Sequence, residues 1–356
     1  MLPRPRIRLL IVDDSAVVRR LLRGAFEAEP DFEVEIARDG AEALERAARF
    51  RPDVMTLDVA MPGMDGLACL RALPARHGCA VVMVSSLTAR GAQVTLEALS
   101  LGAVDFIAKP SAAQGGTLDA IRAELVAKVR LASQARRPAV VSATPAPVPR
   151  IPVSPTRQAE PGLVVIGAST GGPRALERIL PALPAAFPWP VVVAQHMPPM
   201  FTGVLAQRLD AQCALRVVEA AGTCPLHPGS VTIAAGNQDL TVARGPDALM
   251  ARPVPTDRSP WHPSVDRLMR SARDCLPPAR LVGVLLTGMG NDGAAEMAAL
   301  HGEGGRTIAE AEESAVVFGM PADLIRRGGA TAILPPERVA ARLVEWCAAP
   351  AAARVS

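Results

Sequence analysis

Hydrophobic positions in the first 133 residues fall into short runs separated by amphipathic stretches. Ile7–Val12, Glu33–Ala37, Asp53–Leu57, Ala80–Val84 and Val104–Ala108 read as β-strands. Segments near residues 16–28, 41–50, 66–73, 90–101 and 118–132 repeat their apolar positions at the helical period and read as helices. Strand and helix in strict alternation predict a parallel sheet covered on both faces. The same kind of run returns beyond residue 162. Leu163–Gly167, Pro190–Gln195 and Leu281–Leu286 are continuous apolar segments of buried-strand character, each closed by a polar or glycine-rich turn. The expected fold is therefore α/β, with two doubly wound parallel-sheet domains.

Between them the pattern stops. Pro138, Pro145, Pro147, Pro149, Pro152, Pro155 and Pro161 punctuate alanine, valine, serine and arginine, a composition that favours an extended, semi-rigid spacer over a packed core. The expected domains are residues 1–133 and 162–350, joined by a Pro-rich linker over 134–161. Residues 1–133 hold 17 cations and 17 anions, as do residues 162–356, so the formal net charge of +3 lies in the linker. With no basic face and no helix-turn-helix, zinc or RNP signature, a nucleic-acid partner is not expected. Six cysteines without Cys-x-x-Cys spacing read as reduced thiols. No apolar run reaches membrane-spanning length and no signal-peptide pattern is seen, so a cytoplasmic protein without membrane insertion is expected.

Ligands of parallel α/β sheets bind at the carboxyl ends of the strands. In the first domain those ends carry Asp13-Asp14, Asp58, Ser85 and Lys109-Pro110. Three converging carboxylates repel one another unless a hard cation lies between them, and Mg²⁺ suits such oxygen ligands. Lys109 stands out because the chain holds 36 arginines and only two lysines. A compact ammonium fits beside a phosphoryl group where a planar guanidinium would crowd it.

In the second domain Ile166-Gly167-Ala168-Ser169-Thr170-Gly171-Gly172-Pro173 reads as strand, tight turn and helix, with Ser169 exposed at the turn. A serine nucleophile needs a base and an orienting carboxylate. His196 closes the Pro190–Gln195 strand, and Asp292 lies in the glycine-rich turn Thr287-Gly288-Met289-Gly290-Asn291-Asp292-Gly293. His262 is a rival base, whereas His227 lies in a loop and His301 at the far end of the helix that follows Asp292. The order Ser…His…Asp differs from the Ser…Asp…His order of α/β-hydrolases, so the turn motif does not imply that fold.

With Asp13, Asp14, Asp58, Met61-Pro62, Asp65-Gly66, Ser85 and Lys109-Pro110 in order, residues 1–133 resemble the response-regulator receiver domain, a flavodoxin-like fold. The resemblance implies that Asp58 is the phosphoacceptor, that Asp13, Asp14 and Asp58 hold Mg²⁺, that Ser85 and Lys109 contact the phosphoryl group, and that Phe106 matches the switch aromatic. Residues 162–347 resemble the methylesterase domain of the CheB family through Gly167–Gly172, Gln195-His196-Met197-Pro198-Pro199, Leu286–Ala294 and Val316–Pro321. That resemblance implies Ser169 as nucleophile, His196 as base, Asp292 as orienting acid and the amides of Thr170 and Met289 as oxyanion hole. It further implies γ-glutamyl methyl esters of chemoreceptors as substrate, glutamine deamidation as a second reaction of the same site, and a chemotaxis histidine kinase as phosphodonor. The chain departs from the family at His262, where arginine is usual, at Glu310, where glutamine is usual, and at Asp239, where a histidine is expected nearby. The alternative is a phosphorylation-controlled binding module with a vestigial triad.

Overall fold

The computed structural model of the chain describes residues 6–73, 78–109, 118–135 and 162–348. The chain divides into two compact units, between Val141 and Ser142. Nearly all of the expected linker, 136–161, lies outside the described residues.

In chain order the first unit contains β1 (Ile7–Val12), α1 (Ala16–Glu27), β2 (Phe32–Ala37), α2 (Gly40–Phe50), β3 (Val54–Asp58), α3 (Gly66–Ala72), β4 (Ala80–Ser86), α4 (Ala89–Ser100), β5 (Asp105–Lys109) and α5 (Leu118–Ala132). These match the five predicted pairs to within a residue or two. Helix starts are set locally: Ser15, Asp39, Asp65 and Thr88 occupy the N-cap positions of α1 to α4, and each side chain accepts a bond from an amide three residues on. The sheet is parallel, in the order β2-β1-β3-β4-β5. Chain direction across it reverses between β1 and β3, so the crevice beyond their carboxyl ends is where such a sheet binds its ligand.

The second unit contains β6 (Leu163–Ala168), α6 (Gly172–Ile179), β7 (Val191–Gln195), α7 (Pro199–Asp210), β8 (Arg216–Ala220), β9 (Cys224–Pro225), β10 (Ser230–Ala234), β11 (Asp239–Arg244), β12 (Leu249–Val254), α8 (Val265–Cys275), β13 (Leu281–Leu285), α9 (Ala294–Gly302), β14 (Arg306–Glu310), α10 (Met320–Arg326), β15 (Ala332–Leu334) and α11 (Pro336–Ala348). Seven of its strands form one parallel sheet ordered β15-β14-β13-β6-β7-β10-β8. Every residue of β6, β7 and β13 is buried, which explains their unbroken apolar runs. From β6 the chain moves outward through β7, then returns to place β13 on the other flank of β6. That reversal makes β6 the switch strand.

One element is absent from the sequence reading, which assigns no antiparallel structure to this unit. Strands β9, β12 and β11 form a small antiparallel sheet. Helix α8 packs on β11, with Ser271 Oγ accepting from Val242 N at 2.9 Å. The small sheet thereby fixes where α8 begins, and that start matters for the site below.

Leu285 is fully buried on β13, and its Cδ1 lies where a Cβ on Gly167 or Gly293 would meet it. Leu285→Ala is expected to destabilise the second unit by about 2–5 kcal/mol. Urea unfolding followed by tryptophan emission measures it, since all three tryptophans lie in this unit; a loss below about 1 kcal/mol would contradict tight packing of β13 against the switch strand β6.

Candidate active site and phosphoacceptor site

Ser169 follows β6 directly. Gly171, two residues on, adopts φ +83°, a left-handed conformation that lets the backbone turn at once into α6. Ala168 pairs in register with Gln195, so Ser169 and His196 leave adjacent strands at the same level, with the strands about 4.8 Å apart. A backbone bond from His196 N to Ala168 O at 3.0 Å continues the ladder to that point. On the other flank, Ser169 N donates to Thr287 O at 3.0 Å. Gly288 then passes so close that a Cβ there would lie 2.6 Å from the Ser169 Cβ and 2.4 Å from Met320 Sδ. The glycine-rich turn is thus explained by contact with the serine.

The imidazole of His196 is oriented. Its Nε2 lies 2.9 Å from Asp292 Oδ2, and its Nδ1 is buried with no hydrogen-bond partner among the described residues. Trp261 stacks on the ring, with centroids 5.7 Å apart and planes 9° from parallel. Asp292, itself buried, accepts from Val265 N at 2.7 Å, Asp266 N at 2.9 Å and Ser264 Oγ at 3.2 Å. These donors form the N-terminus of α8, where unpaired amides and the helix dipole stabilise an anion. The three strand ends therefore bring Ser169, His196 and Asp292 together, with Thr170 and Met289 on the flanking turns. Gln195 Nε2 links the two turns, donating to Ser169 O at 2.9 Å and to His196 O at 3.1 Å.

The rival histidines are occupied elsewhere. His262 Nδ1 lies 2.9 Å from Asp239 Oδ1, and Asp239 also accepts from Ser264 N and Arg267 Nη1. Burial pushes the Asp239 carboxyl upward, but these three partners outweigh it and hold the pKa below the usual range. His262 is thus part of the scaffold beneath the start of α8. Asp239, Asp257 and His262 bring ligand atoms within 4.8 Å of one another, yet Arg267 already answers the Asp239 charge. His301 Nδ1 contacts Thr331 Oγ1 at 3.1 Å, away from Asp292. The residues missed in the sequence reading are Trp261, Ser264 and Gln195; of these, Pro263-Ser264 before an apolar helical period carried a readable N-cap signal.

In the first unit, Asp58 ends β3, Lys109 ends β5, Ser85 lies one residue inside the end of β4, and Asp13-Asp14 follow β1. Lys109 Nζ sits 2.8 Å from both Asp13 Oδ2 and Asp58 Oδ2. Asp13, Asp14 and Asp58 offer oxygens within 4.8 Å of one another. Burial raises the Asp58 pKa, with Lys109 opposing and Asp13 adding to the rise. Burial alone would lower that of Lys109, but its two carboxylate partners raise it above the ordinary value. A crowded, all-oxygen, net-negative cluster of this kind fits a hard divalent cation. Gly66 permits the close packing here, since a Cβ would fall 2.1 Å from Asp58 O. The second lysine is structural: Lys128 Nζ donates to Phe106 O at 2.9 Å and lies 3.5 Å from Asp105, tying α5 to β5. Phe106, the expected switch aromatic, is buried beneath it.

These features are those of a receiver-type domain followed by an α/β domain that gathers a serine, a histidine and an aspartate at one sheet edge. The response regulator receiver family matches residues 9–119, and the CheB methylesterase family matches residues 164–343. The chain belongs to the CheB family. It is 51% identical over 364 residues to a protein-glutamate methylesterase/protein-glutamine glutaminase of Rhodopseudomonas palustris, covering 97% of this chain and 100% of that one. A relative of the same name from Rhodospirillum rubrum is 48% identical, with 95% and 96% covered. The CheB methylesterase catalytic domain of Thermotoga maritima superposes with a TM-score of 0.51 at 40% identity, covering 52% of this chain and 99% of that one.

Glu310, where the sequence resemblance predicts glutamine, sits behind the turn at Thr287 that accepts from Ser169 N. Its carboxylate accepts from Thr287 N at 2.8 Å and Ser314 Oγ at 3.0 Å. Burial pushes its pKa up to about 7 from 4.5, against the pull of those two bonds. A carboxyl raised on folding binds more protons when folded, so stability falls as pH rises from about 4.5 to about 7. Glu310→Gln, which keeps an acceptor for Thr287, is expected to remove that slope and to gain roughly 1–3 kcal/mol at alkaline pH. Denaturant unfolding at acidic and alkaline pH tests this; an unchanged slope would place the titration elsewhere.

Proposed function

We propose that the chain is a phosphorylation-controlled protein-glutamate methylesterase acting on chemoreceptors. The observation that carries the reading is the His196 ring, fixed through Nε2 to Asp292 while its buried Nδ1 is left open level with Ser169. Nδ1 takes the Ser169 hydroxyl proton as Oγ attacks the γ-carbonyl carbon of a glutamyl methyl ester. The oxyanion that forms is met by the amides of Thr170 and Met289. His196, now an imidazolium stabilised by Asp292, returns the proton to the methoxy oxygen, and methanol leaves. Water then attacks the acyl-enzyme, again giving a proton to Nδ1, which passes it to Oγ as the glutamate carboxylate is freed. A glutamine side chain follows the same route with ammonia leaving. A docking module would have no use for a buried imidazole with an open nitrogen.

In the receiver domain Asp58 accepts a phosphoryl group from a histidine kinase, with Lys109 and Ser85 beside it. Asp13, Asp14 and Asp58 would hold Mg²⁺, which when bound supplies positive charge against the phosphoryl oxygens. No helix of the described residues is long and apolar enough to cross a membrane. The reading places the chain in the cytoplasm, where receptor helices and reduced thiols are found; the six cysteines are not joined in disulfides.

Ser169→Ala is expected to lower methanol release from methylated receptor by about 10³-fold or more, while His262→Ala retains most of it. Residual release above a tenth of wild type would sink the triad assignment. Asp58→Asn is expected to take no labelled phosphoryl group from the kinase, because an amide cannot form the acyl phosphate. Label on that variant would move the acceptor to another residue.

A further inference from the structure

We propose that Asp266 is a positioning residue of the esterase triad, locking Asp292 in place through a reciprocal exchange of carboxylates between the starts of α8 and α9. The inference rests on reading Ser169, His196 and Asp292 as the triad. Asp292 lies two residues before α9, and its carboxylate accepts from the first two amides of α8, those of Val265 and Asp266. Asp266, the second residue of α8, returns the exchange: its Oδ1 accepts from Glu296 N, the third amide of α9, at 3.1 Å. Each helix thus neutralises orphan amides of the other. The two starts are in contact, since a Cβ on Gly293 would lie 2.5 Å from Val265 Cγ1.

The exchange fixes Asp292 twice over. The α8 amides hold its oxygens, and Asp266 holds the helix that Asp292 leads into. Oδ2 is shared between Val265 N and His196 Nε2, so a slip of α9 against α8 moves the atom that orients the imidazole. Position at that level is worth large factors in rate, because reacting groups must be aligned before the barrier is crossed.

Asp266 itself sits in a crowded, partly buried charge environment. Burial pushes its carboxyl up to about 6, joined by the charges of Asp292 and Glu296, while the Glu296 N–H bond and Arg270 oppose the rise. Arg327 faces the same group, and Glu296 is itself held by Arg270 and Arg273.

The test compares Asp266→Ala and Asp266→Asn in the full chain, with methanol release from methylated receptor and the NMR signal of the His196 Nε2–H proton, assigned by its loss in His196→Gln. Asp266→Ala is expected to lower kcat about 10–100-fold with little change in KM, and to shift or broaden the His196 signal. Asp266→Asn keeps an acceptor for Glu296 N, so it is expected to recover kcat to within about threefold. Wild-type kcat and an unmoved signal in Asp266→Ala would overturn the proposal, as would an equal loss in both variants. A wild-type chain that shows the bonded Nε2–H but releases no methanol would indict the esterase reading, and the NMR comparison would still decide Asp266.

Discussion

A carboxylate taken out of water must find donors, and Asp292 finds four. Two are main-chain amides, one is a hydroxyl and one is an imidazole. Much of the second domain can be traced back to satisfying that one charge. Helix α8 must begin where its amides reach Asp292, so β11 and β12 must present a face on which α8 can rest. Asp239, His262 and Arg267 tie the approach to α8 into the same scaffold. Removing the charge would leave amides and a hydroxyl without an acceptor. Removing the donors would leave a buried ion, which is costlier still.

The receiver domain solves the complementary problem. Its acids are more numerous than its donors at the strand ends, and Lys109 bridges two of them at equal distance. Both domains use the same property of parallel sheets. Strand ends converge at a reversal of chain direction, and side chains distant in sequence meet there without being adjacent in any local pattern.

How much of this was legible follows from that geometry. Each strand end is a local event, marked by an apolar run that stops, so Asp58, Lys109, Ser169, His196 and Asp292 could be placed on one edge or the other from sequence alone. The turn at Gly288 was legible as a close approach, although not what it approaches. The support for Asp292 was not, because main-chain amides carry no residue signature and any sequence at the start of α8 would supply them. Trp261 is hidden in the sequence for a different reason. It sits beside His262, whose side chain offers the more obvious chemistry, and stacking on His196 depends on a turn whose course is set by long-range packing. The antiparallel strands were hidden by their modest alternation, with Pro253 and Arg252 interrupting the pattern in β12.

The stacking of Trp261 on His196 has a spectroscopic side. The chain has no tyrosine and three tryptophans, Trp189, Trp261 and Trp346, all in the esterase domain. Near-ultraviolet emission therefore comes without a tyrosine background and without any contribution from the receiver domain. Of the three indoles, Trp261 lies against the imidazole, and an imidazolium accepts an electron from an excited indole far more readily than a neutral ring does. The protonation state of His196 is thus written into the fluorescence of the unlabelled protein.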